Sequence, residues 1–145
     1  MHIELLIWRE ISKIWETKLW PGRSDIKSMS SMTDTFTYDL SIYEKYKPEF
    51  YGIIDTDIHE VVGVNSGHQT ADGIFRSRGL YVDPAYRGRG LGISLLRYTI
   101  HRAKECHGCH TVWSYPKDTA LKTYTSVGFV PYTDIVDNHC YVKYS

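Results

Sequence analysis

The hydrophobic residues at the start of the chain follow first the period of a strand and then that of a helix. Ile3, Leu5 and Ile7 recur at every second position, which predicts a short strand. Apolar residues then recur at helical spacing until Pro21 and Gly22 end the pattern: Trp8, Ile11, Ile14, Trp15 and Leu19. The chain is therefore predicted to begin with a strand and a helix.

Two apolar runs in the middle of the chain predict a β-hairpin. Residues 50–54 and 61–64 form the runs, and residues 55–57, Asp-Thr-Asp, join them. A short helical piece is expected before them, at residues 41–47. Residues 74–82 then predict a further strand, which ends before Pro84 because proline cannot continue an interior ladder.

A glycine-rich loop at residues 87–92, Arg-Gly-Arg-Gly-Leu-Gly, follows that strand. The helix it opens presents one apolar face and can end at Gly108: Leu91, Leu95, Leu96, Ile100 and Ala103. A strand at 110–113, a helix at 118–127 and strands near 129–132 and 140–142 complete the pattern. This order of elements predicts an α/β fold with a mixed sheet.

Length, charge and cysteine content narrow the class of protein. A chain of 145 residues predicts one domain, residues 1–145. Seventeen Lys and Arg balance seventeen Asp and Glu, which argues against nucleic acid or an anionic membrane as the main partner. No segment has the apolar length to span a bilayer, and three cysteines favour a reducing compartment. We therefore expect a cytoplasmic protein.

The glycine-rich loop has the features of an anion-binding turn. A helix that begins among glycines presents unpaired backbone N–H groups and the positive end of the helix dipole. No Gly-Lys-Ser/Thr follows, as a phosphate-binding P-loop would require, and Ile93 occupies the third glycine position of the dinucleotide fingerprint counted from Gly88. Both common nucleotide motifs are therefore disfavoured, and a tight turn without a ligand is the remaining alternative.

Two segments resemble the GCN5-related N-acetyltransferase (GNAT) family. Residues 80–92, Leu-Tyr-Val-Asp-Pro-x-x-Arg-x-x-Gly-x-Gly, are similar to its acyl-CoA-binding segment. Ala120, Tyr124, Gly128 and Phe129 keep the spacing of its later Ala-x-x-x-Tyr-x-x-x-Gly-Phe segment. The resemblance implies the acyl-CoA N-acyltransferase architecture, in which helices flank a mixed, mostly antiparallel sheet.

Membership of this family implies where acetyl-CoA, the co-substrate, would bind. The loop amides would hold the pyrophosphate, with Arg87 or Arg89 near the phosphate charge, and the main chain of Leu80 and Val82 would pair with the pantetheine arm as with an added strand. The implied cofactor-binding residues are Leu80, Tyr81, Val82, Arg87, Gly88, Arg89, Gly90, Leu91 and Gly92. No metal is expected.

The resemblance also implies a general acid, Tyr124. A phenol with an ordinary pKa of about 10 stays protonated at neutral pH and can give its proton to the leaving thiolate. The alternative is a core tyrosine, because the chain has twelve tyrosines. The general base is open: Arg76 and Arg78 stand where many family members carry a carboxylate, and arginine cannot accept the proton. We expect either His68, in a polar turn after the third strand, or a water chain.

Arg76 and Arg78 are predicted to share a face of their strand with Leu80 and Val82, because side chains alternate with period two. Paired guanidinium groups would suit an anionic acceptor and disfavour a polyamine, although ordinary ion pairing is an equal alternative. Further candidates for the acceptor pocket lie in the long loop, Trp20, Arg23, Met29 and Met32, with packing over the core as an equal alternative. At the end of the neighbouring strand, Trp113, Ser114 and Tyr115 are expected to border the thioester, with Ser114 as a substrate-binding candidate.

Other functions were weighed against this hypothesis. Residues 106–110, Cys-His-Gly-Cys-His, match the haem-attachment pattern and could bind zinc, but four ligands could hardly converge where a helix ends and a strand begins. Zero net charge disfavours nucleic-acid binding. An acyl-CoA-sensing or partner-binding module on the same fold remains the alternative.

The sequence therefore predicts an N-acetyltransferase that moves a short acyl group from acetyl-CoA directly to a primary amine of a small molecule or peptide. No covalent enzyme intermediate is expected, and a homodimer is compatible with the family.

Overall fold

The computed structural model describes residues 1–22 and 44–145, in which seven strands form one sheet. The strands are β1 His2–Leu6, β2 Glu49–Asp55, β3 Glu60–Ala71, β4 Ile74–Val82, β5 Thr111–Ser114, β6 Val130–Pro131 and β7 Val142–Tyr144. Their order in the sheet is β1-β2-β3-β4-β5-β7-β6. Neighbouring strands run antiparallel except β4 and β5, which are parallel. The predicted α/β fold with a mixed, mostly antiparallel sheet is confirmed.

Helices cover both faces of the sheet. They are α1 Trp8–Ile14, which a π-helical turn Trp15–Leu19 continues, α2 Leu91–His101, which a π-helical turn Arg102–Cys106 continues, and α3 Leu121–Val127. Short 3-10 turns at Pro84–Tyr86 and Asp118–Ala120 precede α2 and α3, and residues 44–46 are helical. Of the helical piece expected at 41–47, residues 41–43 lie outside the described residues, and Lys47 is not helical.

The apolar side chains divide into two layers, one on each side of the sheet. On the α1 side, Trp8, Ile11 and Trp15 pack against Phe50 and Val64. On the α2 and α3 side, the buried residues include Tyr51, Phe75, Leu95, Leu96, Val112 and Tyr124. Burying these two faces is the main stabilising term of the fold, since each fully buried large apolar side chain contributes about 1.5–3 kcal/mol.

The parallel strands β4 and β5 separate after three register pairs. Ile74, Phe75 and Arg76 pair with Thr111, Val112 and Trp113. Beyond this point β5 ends at Ser114 and leads into Pro116, while β4 continues to Val82. Within the part of the chain that the structure describes, the edge of β4 that faces β5 therefore has no neighbouring strand over its second half.

A β-bulge at Gly79 changes which face the β4 side chains occupy. Ser66 pairs with Arg78 and Val64 with Tyr81, so β4 carries one extra residue, and Gly79 has φ of +81°. Such a bulge interrupts the period-two alternation. Leu80 and Val82 pack on the α2 side, whereas Tyr81 packs on the α1 side. The prediction that Arg76 and Arg78 share a face with Leu80 and Val82 is therefore wrong.

Glycine is required at the bulge for a second reason. A Cβ on Gly79 would lie 2.3 Å from Cζ2 of Trp15, and the indole Nε1 of Trp15 donates a hydrogen bond of 2.8 Å to the Gly79 carbonyl. The bulge therefore docks the end of α1 directly on β4.

The Cys-x-x-Cys-His segment has a structural role. Cys106 is exposed and Cys109 is buried. Between them, His107 lies 3.0 Å through Nε2 from Oε1 of Glu49 and 3.1 Å through Nδ1 from Nε2 of Gln69. Burial alone would raise the pKa of the Glu49 carboxyl, but hydrogen bonds from Arg102 and His107 hold it below its usual value. This cluster ties the end of α2 to β2 and β3, and residues 1–22 and 44–145 contain no group of three metal-ligating side chains.

The predicted hairpin is confirmed, but its second strand is longer than expected. β3 continues through Asn65 and His68 to Ala71, so the expected polar turn around His68 is wrong. Asn65 Nδ2 donates hydrogen bonds of 2.9 Å to the hydroxyls of Ser77 and Thr99, which satisfies the donors of this amide inside the sheet, whereas its buried Oδ1 has no hydrogen-bond partner among the described residues. Within the described part of the chain, no helix has the length and apolar character to cross a bilayer.

His68 is buried on the α1 side of the sheet, opposite Arg76 in the register. Its side chain is 2% exposed and its Nε2 has no hydrogen-bond partner. Burial, together with the charges of Arg76 and Arg78, lowers the pKa of His68 from 6.5 to about 3. The imidazole is therefore neutral at physiological pH.

This burial makes folding stability depend on pH. Between pH 3 and 6.5 the unfolded chain binds a proton at His68 that the folded chain does not, so this contribution to stability is complete above pH 6.5 and falls as pH decreases. We expect the free energy of unfolding, measured in urea, to fall between pH 7.5 and pH 5 by about 2 kcal/mol more for the wild type than for His68→Gln. The exposed His101→Gln is the matched control, and identical pH dependence in wild type and His68→Gln would contradict the assignment.

Candidate active site

A cleft of about 880 Å³ opens where β4 and β5 separate. One wall is β4 from Arg76 to Val82, and the opposite wall is formed by residues 114–117 and the N-terminal part of α3. The glycine-rich loop lies at one end, and the last β4–β5 pair, Arg76 with Trp113, closes the other. The fold thus brings most of the residues singled out in the sequence to one opening.

The glycine-rich loop turns into α2 through two left-handed residues. Gly88 has φ of +79° and Gly90, the N-cap of α2, has φ of +78°. A Cβ at either position would meet no atom within 4 Å, so the backbone here borders open space. Because the first N–H groups of a helix have no partner within the helix, the loop offers several donors to an anion at this end of the cleft.

Gly92 has a packing role instead. A Cβ at this position would lie 3.3 Å from Cγ2 of Thr123, so glycine allows α2 to approach α3. This contact fixes the loop relative to the helix that carries Tyr124.

The two arginines of the loop differ in position. Arg87 lines the cleft, and its Nε donates a hydrogen bond of 2.9 Å to the carbonyl of Val82. Arg89 does not line the cleft, and its guanidinium carbon lies 5.1 Å from the centre of the Tyr86 ring. Of the two, Arg87 has the better position to approach a phosphate bound at the loop.

The second half of β4 presents main-chain groups to the cleft. Leu80, Tyr81 and Val82 all line it, and among residues 1–22 and 44–145 no strand pairs with this edge of β4 after Arg76. Unpaired N–H and C=O groups along a strand edge can pair with an extended chain.

Tyr124 lies near the closed end of the cleft, on α3. Its side chain is 3% exposed, and its hydroxyl oxygen lies 3.2 Å from Oγ of Ser114, at the end of β5. Ser114 Oγ donates its single proton over 2.7 Å to the carbonyl of Ser77, so it can accept one from the phenol. Burial raises the pKa of Tyr124, while the hydrogen bonds that link its hydroxyl to Ser114 and Ser77 and the charge of Arg76 act in the opposite sense. The phenol therefore carries its proton at neutral pH.

Arg76 and Arg78 stack on tryptophans beside the cleft. The guanidinium carbon of Arg76 lies 4.6 Å from the centre of the Trp113 ring, and that of Arg78 lies 4.5 Å from the centre of the Trp20 ring. Arg76, Arg78 and Trp20 line the cleft, whereas Trp113 does not. Trp20 and Ser114 thus lie at the cleft as expected, whereas Arg23, Met29 and Met32 lie outside the described residues.

His68 is not brought to the cleft. It lies within β3, outside the lining residues, and a buried imidazole with a pKa of about 3 is a weak base. The sequence hypothesis for the general base therefore receives no geometric support.

Sequence reasoning missed two residues of the cleft. His139 lines its rim, and its ring stacks on Tyr115 with ring centres 4.9 Å apart. Ser77 anchors Ser114 beneath the Tyr124 hydroxyl. No local pattern marks either residue, since both reach the cleft through the pairing of distant strands.

Known proteins show the same arrangement of elements. The IAA acetyltransferase of Bacillus cereus superposes with a TM-score of 0.72 at 16% identity, over 98% of this chain and 97% of that chain. The N-acetyltransferase PseH of Campylobacter jejuni, in complex with acetyl coenzyme A, gives 0.63 at 19%, over 99% and 98%. A chimera of spermidine N-acetyltransferase SpeG from Vibrio cholerae and hSSAT gives 0.68 at 11%, over 99% and 95%. At these identities the likeness establishes the fold.

The sequence itself gives the family. No curated protein matches the chain significantly. The family profile described as acetyltransferase (GNAT) domain, however, matches residues 47–131, more than half of the chain, and includes both segments on which the resemblance rests. The chain therefore belongs to the GNAT acetyltransferase family, and the protein is an acyltransferase.

Proposed function

We propose that the protein transfers an acetyl group from acetyl-CoA directly to a primary amine of a small molecule or peptide. The observation that carries the proposal is the position of the Tyr124 hydroxyl at the closed end of the cleft, with the glycine-rich loop at the other end. The open edge of β4 connects the two. Anion binding, an extended binding edge and a protonated phenol thus lie along one cleft.

The loop would bind the diphosphate of the co-substrate. Gly88 and Gly90 leave room for phosphate oxygens to approach the backbone, and the N-terminus of α2 supplies donors and the positive end of its dipole. Hydrogen bonds to a charged group contribute about 1.5–3 kcal/mol each, so a few such donors give useful affinity. Arg87 would add a positive charge from the cleft wall.

The pantetheine arm would then lie along the second half of β4. Leu80, Tyr81 and Val82 offer it an unpaired strand edge, which it would extend as an added strand. Following β4 from Val82 back to Arg76 leads the arm from the loop toward the Tyr124 hydroxyl. The thioester would therefore reach the closed end of the cleft.

The chemistry at the closed end is an acyl transfer without a covalent enzyme intermediate. The neutral amine nitrogen attacks the thioester carbonyl carbon, and the carbon–sulfur bond breaks as the amide forms. Tyr124 gives its proton to the departing thiolate, producing free CoA thiol, and recovers a proton from solvent. The amine loses one proton in the same reaction.

His139 is our candidate to receive the amine proton. Among the described residues that line the cleft there is no carboxylate, and His139 is the one imidazole. Its Nδ1 lies 2.8 Å from the carbonyl of Asp137, an acceptor only, so Nδ1 carries the hydrogen and Nε2 is left as the acceptor. A water at the cleft rim is the other route.

The His139→Gln variant separates these two routes. If His139 accepts the proton, His139→Gln lowers kcat/KM by about 100-fold, because general base catalysis contributes about 10²–10⁴-fold. An unchanged kcat/KM in His139→Gln would leave water as the acceptor and remove His139 from the mechanism.

The acid assignment predicts that Tyr124→Phe lowers kcat for thiol release by about 100-fold, because general acid catalysis contributes about 10²–10⁴-fold. The affinity for CoA, measured by calorimetry, should stay within about twofold, since the phenol proton acts only on the leaving sulfur. Tyr98→Phe, on α2 and outside the cleft lining, is the matched control.

Two outcomes would contradict this proposal in different ways. Unchanged turnover in Tyr124→Phe would remove Tyr124 as the acid. Tight CoA binding by the wild type without thiol release from acetyl-CoA with any amine would favour an acyl-CoA-sensing module, which the absence of a carboxylate among the described lining residues makes the second candidate.

A further inference from the structure

We propose that the amine acceptor carries an oxyanion, a carboxylate or a phosphate, which the guanidinium group of Arg76 binds at the closed end of the cleft. This inference rests on the proposed function, because it names the class of acceptor for that same site.

Arg76 is positioned as a binding group with unused hydrogen-bonding capacity. Its guanidinium stacks 4.6 Å from the ring centre of Trp113, which fixes the plane of the group. Its Nε is buried and has no hydrogen-bond partner. A guanidinium has five N–H donors in a planar fork, and an unsatisfied buried donor is costly. Because Arg76 lines the cleft, a small shift of its side chain would let the fork meet an acceptor oxygen there and remove that cost.

The charges around Arg76 also favour an anion. No ion pair forms between Arg76 and a carboxylate of the described residues, and the groups that act on its pKa besides burial are the phenols of Tyr141 and Tyr124. His68, opposite Arg76, is neutral at physiological pH. The closed end of the cleft therefore has a positive potential that a bound anion would offset.

The diphosphate of the co-substrate is too distant to be this anion. Arg76 precedes Asp83 by seven residues of extended chain, which places the glycine-rich loop roughly 23 Å farther along β4. The bulge at Gly79 also places the two sites on opposite faces of the sheet. Leu80 and Val82 pack on the α2 side. Arg78 stacks on Trp20, which packs on the α1 side. The anion at Arg76 is therefore part of the acceptor.

Arginine suits this role for geometric reasons. Its fork matches the two oxygens of a carboxylate or phosphate, and its stacking on an indole leaves the edge of the guanidinium available. A polyamine would bring further positive charge against Arg76 and Arg78, so it should be a poor acceptor. The likeness to a spermidine N-acetyltransferase chimera, at 11% identity, concerns the fold alone.

The test measures kcat/KM for thiol release from acetyl-CoA with pairs of amines that differ by one anionic group. Amino acids are paired with their α-amides, phosphoethanolamine with ethanolamine, and glucosamine 6-phosphate with glucosamine, and spermidine is added. We expect the anionic member of at least one pair to exceed its neutral partner by about tenfold or more, the effect of a hydrogen bond to a charged group. The carboxylate and phosphate arms show which oxyanion is used.

Variants assign the preference to Arg76. In Arg76→Gln the ratio within the preferred pair should fall to near one, and Arg76→Lys should restore only part of it because lysine lacks the fork. The affinity for CoA should not change in either variant. Arg97→Gln, an exposed arginine on α2, is the matched control and should keep the wild-type ratio.

The outcomes separate this inference from the proposed function. Equal rates within every pair, a preference for neutral amines or spermidine, or an unchanged ratio in Arg76→Gln would overturn the acceptor inference while leaving acetyl transfer intact. Thiol release with none of the amines would overturn both. If the wild type does not bind CoA, the proposed function is refuted before any acceptor is tested.

Discussion

The separation of β4 from β5 is the constraint on which the rest of the structure depends. A parallel pair that continued beyond Arg76 and Trp113 would satisfy the main chain of β4 and leave no opening in the sheet. Because β5 ends at Ser114, the second half of β4 keeps an unpaired edge. The same ending places the Ser114 hydroxyl where it contacts Tyr124. One interruption of strand pairing thus creates both the cleft and the surroundings of its phenol.

The bulge at Gly79 reverses which side of the sheet the following β4 side chains occupy. It turns Leu80 and Val82 toward the side of α2, whose N-terminus holds the glycine-rich loop. Tyr81 and the tryptophans of the N-terminal helical segment lie on the other side. With regular alternation, Leu80 and Val82 would lie on the same side as Arg78. In the function proposed above, the bulge would let one strand contribute to binding an acyl donor on one side and an acceptor on the other.

Local patterns predicted the elements and part of the site, but not the tertiary pairing. The period of apolar residues gave α1 and α2, and the spacing of Tyr124 to Gly128 placed the phenol on the correct helix. The polar run around His68 was mistaken for a turn because Asn65 finds its partners on β4 and α2, which lie far away in sequence. The bulge was missed although a glycine inside a strand is its usual sign. The separation of β4 from β5 after three register pairs depends on contacts between residues far apart in sequence, which local sequence patterns do not predict.

A calorimetric titration of CoA into the wild type, Gly90→Ala and Gly108→Ala tests the central claim most directly. Both glycines have positive φ, +78° and +64°, with open space where a Cβ would lie, so alanine brings similar backbone strain of about 1–2 kcal/mol. Only Gly90 lines the cleft. The account predicts that Gly90→Ala weakens CoA binding by about tenfold or more and that Gly108→Ala leaves it unchanged. Equal affinity in all three proteins, or no binding to the folded wild type, would contradict it.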